Sequence, residues 1–283
     1  MPKHRRREYH WGSIMVWGVI YALLCLLLLF CLLPFYLMVI DATHTNKEII
    51  TTLQLLPGAA LLDNIRKVTA RVDFPTGFSN SLFVAVCSTL LTAYFGALTA
   101  YGFSKYRFKG KNILFVAMLM TMMLPEQVSI VGYFKLMGFL KLTDTHASLI
   151  LPSLVCAGMA FWLKQYCDAA IPDEIIESGR IDGAGELHIF HRLILPLMAP
   201  AIACMAIFTF IHSWNSFLKP LILMFTPAKF TLPLLMTAFT GQLTGDYGAF
   251  YCGMSIATLP IIVVYLLFSR YIISGLTLGA VKT

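Results

Sequence analysis

Charge is what this chain of 283 residues has least of: Asp, Glu, Lys and Arg make up only 12%, against 58% hydrophobic residues and a mean hydropathy of +0.77. So small a polar fraction cannot cover an ordinary soluble domain, which places the chain in a bilayer. Cysteine is present but unpatterned. The seven cysteines (Cys25, Cys31, Cys87, Cys156, Cys167, Cys204, Cys252) make no CxxC and lie mostly inside apolar runs, so neither a disulfide framework nor a metal site is indicated. They read as small apolar fillers. The phosphate-cradling pattern GxxxxGK[ST] is missing, since Gly110-Lys111 is followed by Asn112 and Lys105 stands where the first glycine belongs. Paired carboxylates, a nucleophile elbow and HExxH are missing as well, which argues against an enzyme. Internal repeats and low-complexity tracts are also lacking.

What is there is apolar length. A helix needs about 20 apolar residues to span the hydrocarbon core, so the chain has room for roughly six spans and no large soluble domain. Charge-free windows place them at Ile14 to Ile40, Phe78 to Ser104, about Ile113 to Phe134, Ala147 to Leu163, Leu193 to Leu218, and Tyr247 to Ser269. The first is too long for a signal-peptide core and no small-residue cleavage site follows, so it is expected to be an uncleaved span. The net charge of +7 gathers at the edges of apolar runs rather than in a stripe with interleaved aromatics. That sets orientation and gives no reason to expect nucleic acid. With six spans, residues 1–13, 105–111, 164–192 and 270–283 share one side and carry 13 of the 21 Lys and Arg. The positive-inside rule makes that side cytoplasmic, both termini included. The expected layout is an N-terminal tail (1–13), a six-helix domain (14–273) with a cytoplasmic loop at 168–192, and a C-terminal tail (274–283).

The connections carry further expectations. The loop from Asp41 to Gly77 is external and folds locally, its LLPG and FPTG pieces reading as turns. Ser79 or Asn80 is a plausible cap for the second span. Only 14 residues, Asn112 to Pro125, separate Lys111 from Glu126. That is about 21 Å of straight helix against a core of roughly 30 Å. Either the helix tilts or breaks at Pro125, or Glu126 faces protein or water within the membrane. Glu126 is thus an external interfacial carboxylate or a lining residue of a translocation path. The fifth span starts at Pro196 and Pro200 and ends in His212, Trp214 and Asn215, polar decoration that is tolerated where a helix lines a cavity and is also used for interhelical hydrogen bonds. Trp214 and Asn215 join Glu126 as candidate path residues. The patch Leu221 to Met224 is too short to span and is expected outside, interfacial or re-entrant.

One polar stretch stands out. Between Asp168 and Glu186 lie six of the fourteen acids (Asp168, Asp173, Glu174, Glu177, Asp182, Glu186), opposed only by Arg180. Pro172 suits a helix start, with Asp173, Glu174 and Glu177 near its positive end, and a short helix runs to Ile181. It stops at Asp182-Gly183, where glycine admits a tight or left-handed backbone and Asp182 can cap the next helix. That second helix would place Ala184, Leu187 and Phe190 or His191 on one side.

The run Glu174 to Pro196, EIIESGRIDGAGELHIFHRLILP, resembles the EAA motif of permease subunits of binding-protein-dependent ABC importers. That motif is Glu-Ala-Ala, three residues including Asp, then Gly, with Leu-Pro closing thirteen residues on. Glu177, Asp182, Gly183, Ala184, Phe190 and Leu195-Pro196 match it; Ser178 and Gly179 depart from the usual alanines. Gly179 costs about 1 kcal/mol of helix propensity relative to Ala. The pieces His212 to Leu221 and Ser274 to Thr283 resemble the carbohydrate-uptake branch, relatives of the second maltose or glycerol-phosphate permease subunit. The resemblance implies an all-α type I importer fold in a bacterial inner membrane, importing a sugar or oligosaccharide. It also implies partners: a second homologous permease subunit, a cytoplasmic ATPase dimer that holds ATP and Mg, and an extracytoplasmic solute-binding protein or lipoprotein. No cofactor belongs to this chain itself. Glu177, Ser178, Gly179, Asp182, Gly183, Ala184, Leu187 and His188 would make the coupling contacts with the ATPase. The alternative is a secondary transporter or channel subunit, which would want several intramembrane ionisable groups, and only Glu126 offers itself.

Overall fold

A computed structural model of the chain describes residues 11–71, 73–242 and 246–278, and among them every regular element is helical. They fall into two compact units, one of residues up to Ala70 with Leu243–Ile256, the other of Arg71–Gln242 with the rest of the last helix.

The first unit holds α1 (Trp11–Asp41), α2 (Asn46–Thr51), α3 (Leu61–Arg71) and the start of α14 (Tyr247–Leu278). α1 is apolar on every side and its side chains from Met15 to Val39 are largely exposed, as a helix surrounded by lipid requires. The loop after it is pinned by Asn64, fully buried, whose amide donates to the carbonyls of Ala42 and His44, both at 2.9 Å. The helix α14 approaches so closely there that a Cβ on Gly248 would stand 2.5 Å from the His44 carbonyl oxygen. The loop is therefore locally folded, as its turn residues suggest, but FPTG is no turn: Phe74 already starts a helix.

In the second unit α4 (Phe74–Lys105) is the axis, packed against α8 (Ala157–Ala170) and α11 (Leu195–Trp214). Small residues make the contact possible: Ala97 and Ala100 are fully buried, and a Cβ on Gly96 would come within 2.4 Å of Met159 Cγ. The cap of α4 is Asp73, which accepts from the Thr76 N–H, with Pro75 in the first turn. Ser79 and Asn80 lie inside the helix instead, and the Asn80 amide donates to the carbonyls of Ala228 and Phe230.

The third span is broken. α5 (Lys111–Thr121) and α6 (Glu126–Phe139) meet at 100° across Met122–Pro125. The fourth is interrupted too: α7 (His146–Ile150) runs into a 3-10 turn at Leu151–Leu154 before α8 begins at Ala157. Pro152 lacks a donor, and the Ser153 carbonyl accepts from the Thr92 hydroxyl at 2.9 Å, a side-chain partner for backbone freed by the interruption.

The loop after α8 forms α9 (Asp173–Ile181) and then α10 (Glu186–Ile189), which passes through a π segment, Phe190–Ile194, directly into α11. The fifth span thus begins at Glu186 and not at Leu193. The wide turn sits just ahead of Pro196, whose ring would clash with the Arg192 carbonyl in a regular helix. Beyond α11 come α12 (Leu218–Leu223), a 3-10 turn at Pro227–Lys229, α13 (Leu232–Gln242) and α14. In the Leu221 to Met224 patch Leu221 is exposed, while Leu223 and Met224 are buried in a core with Val84, Met137 and Leu234. The last helix runs past Ser269 to Leu278, and the remainder of the C-terminal tail, like residues 1–10 of the N-terminal one, lies outside the described residues.

Candidate functional site

The polar loop is built around a turn. The Gly183 N–H donates to the Arg180 carbonyl and the Ala184 N–H to the Gly179 carbonyl, both at 3.0 Å, with Gly183 at φ +78°. This is the paired bonding that ends a helix through a left-handed residue. Asp182 is therefore the last residue of the α9 end and Gly185, not Asp182, precedes α10. Gly179 is buried where α9 crosses the next helix; a Cβ there would lie 3.1 Å from Ile189 Cγ1.

The loop has an inner and an outer face. Ile176, Ile189, Phe190 and Ile194 are buried in a core shared with Ala97, Tyr101 and Met198. Glu177, Ser178, Asp182, Gly183, Leu187 and His188 are exposed, with Ala184 half-buried. Of the two residues expected to share a side with Leu187, it is His191 that does so: Leu187 is 65% exposed and His191 is exposed, whereas Phe190 is fully buried. Ile181, 85% exposed, adds an apolar group to the outer face.

The acids divide in the same way. Asp168 accepts from the Ser104 hydroxyl and pairs with Lys164. Asp173 pairs with Lys105 at 2.6 Å, whose ammonium holds that carboxyl below its ordinary value. Lys105 also donates to the Ile171 carbonyl. Glu186 accepts from Arg180 Nε at 2.8 Å and from the hydroxyls of Tyr106 and Tyr101. Burial, and then the Glu186 carboxylate, raise the Tyr106 phenol above its ordinary value, so it remains a donor at neutral pH. Sequence spacing does not reveal these tyrosine and lysine partners, since they sit 68 to 85 positions away on α4 and its C-cap.

A second polar feature lies where the broken span turns. Glu126, in the first turn of α6, is 2.6 Å from Lys219 Nζ and 3.7 Å from His212 Nε2. All three line a cavity of about 520 Å³ whose other walls include Ser88, Thr209, Ser213, Ser216 and Thr231. A smaller neighbouring cavity of about 260 Å³ is lined by Glu126 together with Asn215. Glu126 and Asn215 thus face open space, and Lys219, His212 and the hydroxyls join them. Trp214 does not. It is 2% exposed, stacked on Phe210 and edge-on to Phe78, with its indole N–H donating to the Ala257 carbonyl. It is a packing residue, which a tryptophan with a polar handle readily is. Among the described residues no group of three or more His, Cys, Asp or Glu is placed to hold a metal.

The family model described as "Binding-protein-dependent transport system inner membrane component" matches residues 75–277. Similar proteins include the arabinooligosaccharides transport system permease protein AraQ of Bacillus subtilis (strain 168), 40% identical over 205 residues, which are 72% of this chain and 73% of that one. The lactose transport system permease protein LacG of Rhizobium radiobacter is 33% identical over 262 residues, 93% of this chain and 95% of that one. The trehalose transport system permease protein SugB of Mycobacterium tuberculosis (strain CDC 1551 / Oshkosh) is 32% identical over 280 residues, 98% of each chain. Among solved structures, a chain from the crystal structure of a bacterial ABC transporter involved in the import of the acidic polysaccharide alginate superposes with a TM-score of 0.82 at 22% identity, covering 94% of this chain and 99% of that one.

Proposed function

Because the chain belongs to the family of binding-protein-dependent transport system inner membrane components, we propose that it is the sugar- or oligosaccharide-importing permease subunit of an ATP-driven transporter, coupled to its ATPase through residues 168–192. The observation that carries the coupling role is the outer face of the loop. Glu177, Asp182 and His188 are exposed beside the apolar Ile181 and Leu187, while the inner face is buried in the same core as the spans. A partner that moves the outer face therefore moves α9, α11 and what packs on them as a body. The chain lacks a phosphate-binding loop, so ATP and Mg belong to the partner.

The carbohydrate class rests on the similar proteins, whose names specify arabinooligosaccharides, lactose and trehalose. The hydroxyl-rich cavity around Glu126 and Lys219 suits a polyhydroxylated solute and is assigned to the translocation path with Asn215. A second homologous permease subunit is proposed as the other half of that path, on the family resemblance. The excess of Lys and Arg at residues 1–13, 105–111, 164–192 and 270–283 supports cytoplasmic placement of both termini.

The test is reconstitution. The chain, purified by a tag with the subunits it retains, is placed in liposomes with labelled lactose, trehalose or arabinotriose and a cognate solute-binding protein. Uptake should require ATP and the co-purified ATPase. Uptake of sugar by this chain alone, without ATP, would sink the proposal.

A further inference from the structure

The coupling loop is joined covalently to α8 and α11, yet most of its polar side-chain ties run to neither. They run to the end of α4. Glu186 accepts from Tyr106 and Tyr101 and Asp173 accepts from Lys105, while at the end of α8 Asp168 accepts from Ser104. Above the same helix end, the Tyr94 hydroxyl meets His191 Nε2 at 3.1 Å. The Arg180 guanidinium closes the cluster from the other side, donating to Glu186 while lying 5.8 Å over the Tyr106 ring.

Glu186 is the only one of these acids that bridges both sides of the Gly183 turn. Its carboxylate holds Arg180 from α9, and it sits itself at the start of α10. A turn made of two backbone bonds around one left-handed residue fixes the break between the helices but is a weak brace for their angle. A charge-assisted bond across it, anchored on the phenol of Tyr106 at the C-cap of α4 and more loosely, at 3.5 Å, on that of Tyr101, supplies that brace. Glu177 and Asp182, by contrast, are exposed and have no salt-bridge partner among the described residues.

We propose that Glu186 is a positioning residue for energy coupling: through Arg180 on one side and Tyr106 and Tyr101 on the other, it locks the loop to the end of α4, so that the end of α4 follows the loop without slack. This rests on the coupling role proposed above for the loop's outer face. Loss of the lock leaves the outer face available to the ATPase and leaves α4 packed on α8 and α11, but loosens the grip of the loop on the end of α4, so that the motion is passed on less completely. ATP is then hydrolysed with less solute moved per turnover.

The experiment compares Glu186→Gln, Glu186→Ala and Tyr106→Phe with the unaltered chain, each in the whole complex reconstituted in liposomes with the same three sugars. Sugar transported per ATP hydrolysed should fall about 2- to 30-fold in Glu186→Ala, the range for positions that modulate coupling without touching ligand. Tyr106→Phe should fall less, and the Tyr106→Phe/Glu186→Ala double variant no further than Glu186→Ala alone. Retention of the ATPase on the tagged chain and basal ATP hydrolysis should stay unchanged. Amide hydrogen exchange of segment 173–189 in the complex should quicken in Glu186→Ala, a readout that also serves if transport is too weak to measure. An unchanged transport ratio with unchanged exchange would overturn the lock. Loss of the ATPase from Glu186→Gln would overturn it differently, making Glu186 a docking contact. If variants at Glu177 and Gly183 also leave coupling intact, the coupling role of the whole loop falls, and not this inference alone.

Discussion

Gly183 shows how far one position can be argued from both sides. Its φ of +78° is forced by the turn, and nothing lies within 4 Å of where a Cβ would be. Any penalty for a side chain there is therefore conformational and not steric crowding. A β-branched residue should cost about 1–2 kcal/mol in that backbone region, whereas Asn tolerates it. Gly183→Val is expected to abolish ATP-coupled uptake while the chain still inserts in the membrane, and Gly183→Asn to keep most of it; uptake assays with membrane-fraction blots check both. This residue was legible because Asp-Gly after a periodic run has one main structural use. In the sequence Glu186 is one acid among six, and nothing marks it as a hub, because its phenol partners come together only when α4 packs on the loop. Trp214 was misread for a related reason: a tryptophan at the end of a span looks the same in sequence whether it lines a cavity or fills a core.

At the scale of elements, the spans could be read from charge-free windows but their interruptions could not. The interruption at Leu151–Leu154 leaves a Ser153 carbonyl that the Thr92 hydroxyl satisfies, and the π segment sits just ahead of Pro196 in a continuous helix. Neither leaves a periodicity. The break before Glu126 was legible, since too few residues precede the carboxylate for a straight crossing, and the structure adds that α6 departs at 100° with its first turn tied to Lys219. Glu126→Ala leaves the Lys219 ammonium, 24% exposed, without its partner. Thermal unfolding in detergent should show Glu126→Ala less stable than the parent. The Glu126→Ala/Lys219→Ala double variant should recover part of the loss, with a coupling energy of about 0.5–1 kcal/mol. Additive losses would mean the pair contributes nothing.

At the scale of the whole molecule, the composition dictated a membrane protein, and α1 bears the consequence most plainly. Its mid-helix Leu27 is 56% exposed amid similarly exposed leucines, the pattern of a helix whose surroundings are lipid. Leu27→Arg should cost about 2.5–3.5 kcal/mol at the helix centre and lower the inserted fraction, measured by carbonate extraction of membranes; full insertion would mean a protein partner covers this face. The Lys105–Asp173 pair has a wider reach than its single bond suggests. It fastens the end of α4 to the start of α9, so both points lie at the same face of the bilayer. A chain that leaves a face and returns to it crosses an even number of times. Between those two residues lie only the sharply bent α5–α6 pair and the interrupted His146–Ala170 segment. An even count is met when His146–Ala170, long and apolar enough to cross once, and the bent pair each supply one crossing. The salt bridge thereby bears on the count of spans: it favours the arms at 100° as one passage through the membrane over an excursion along its surface.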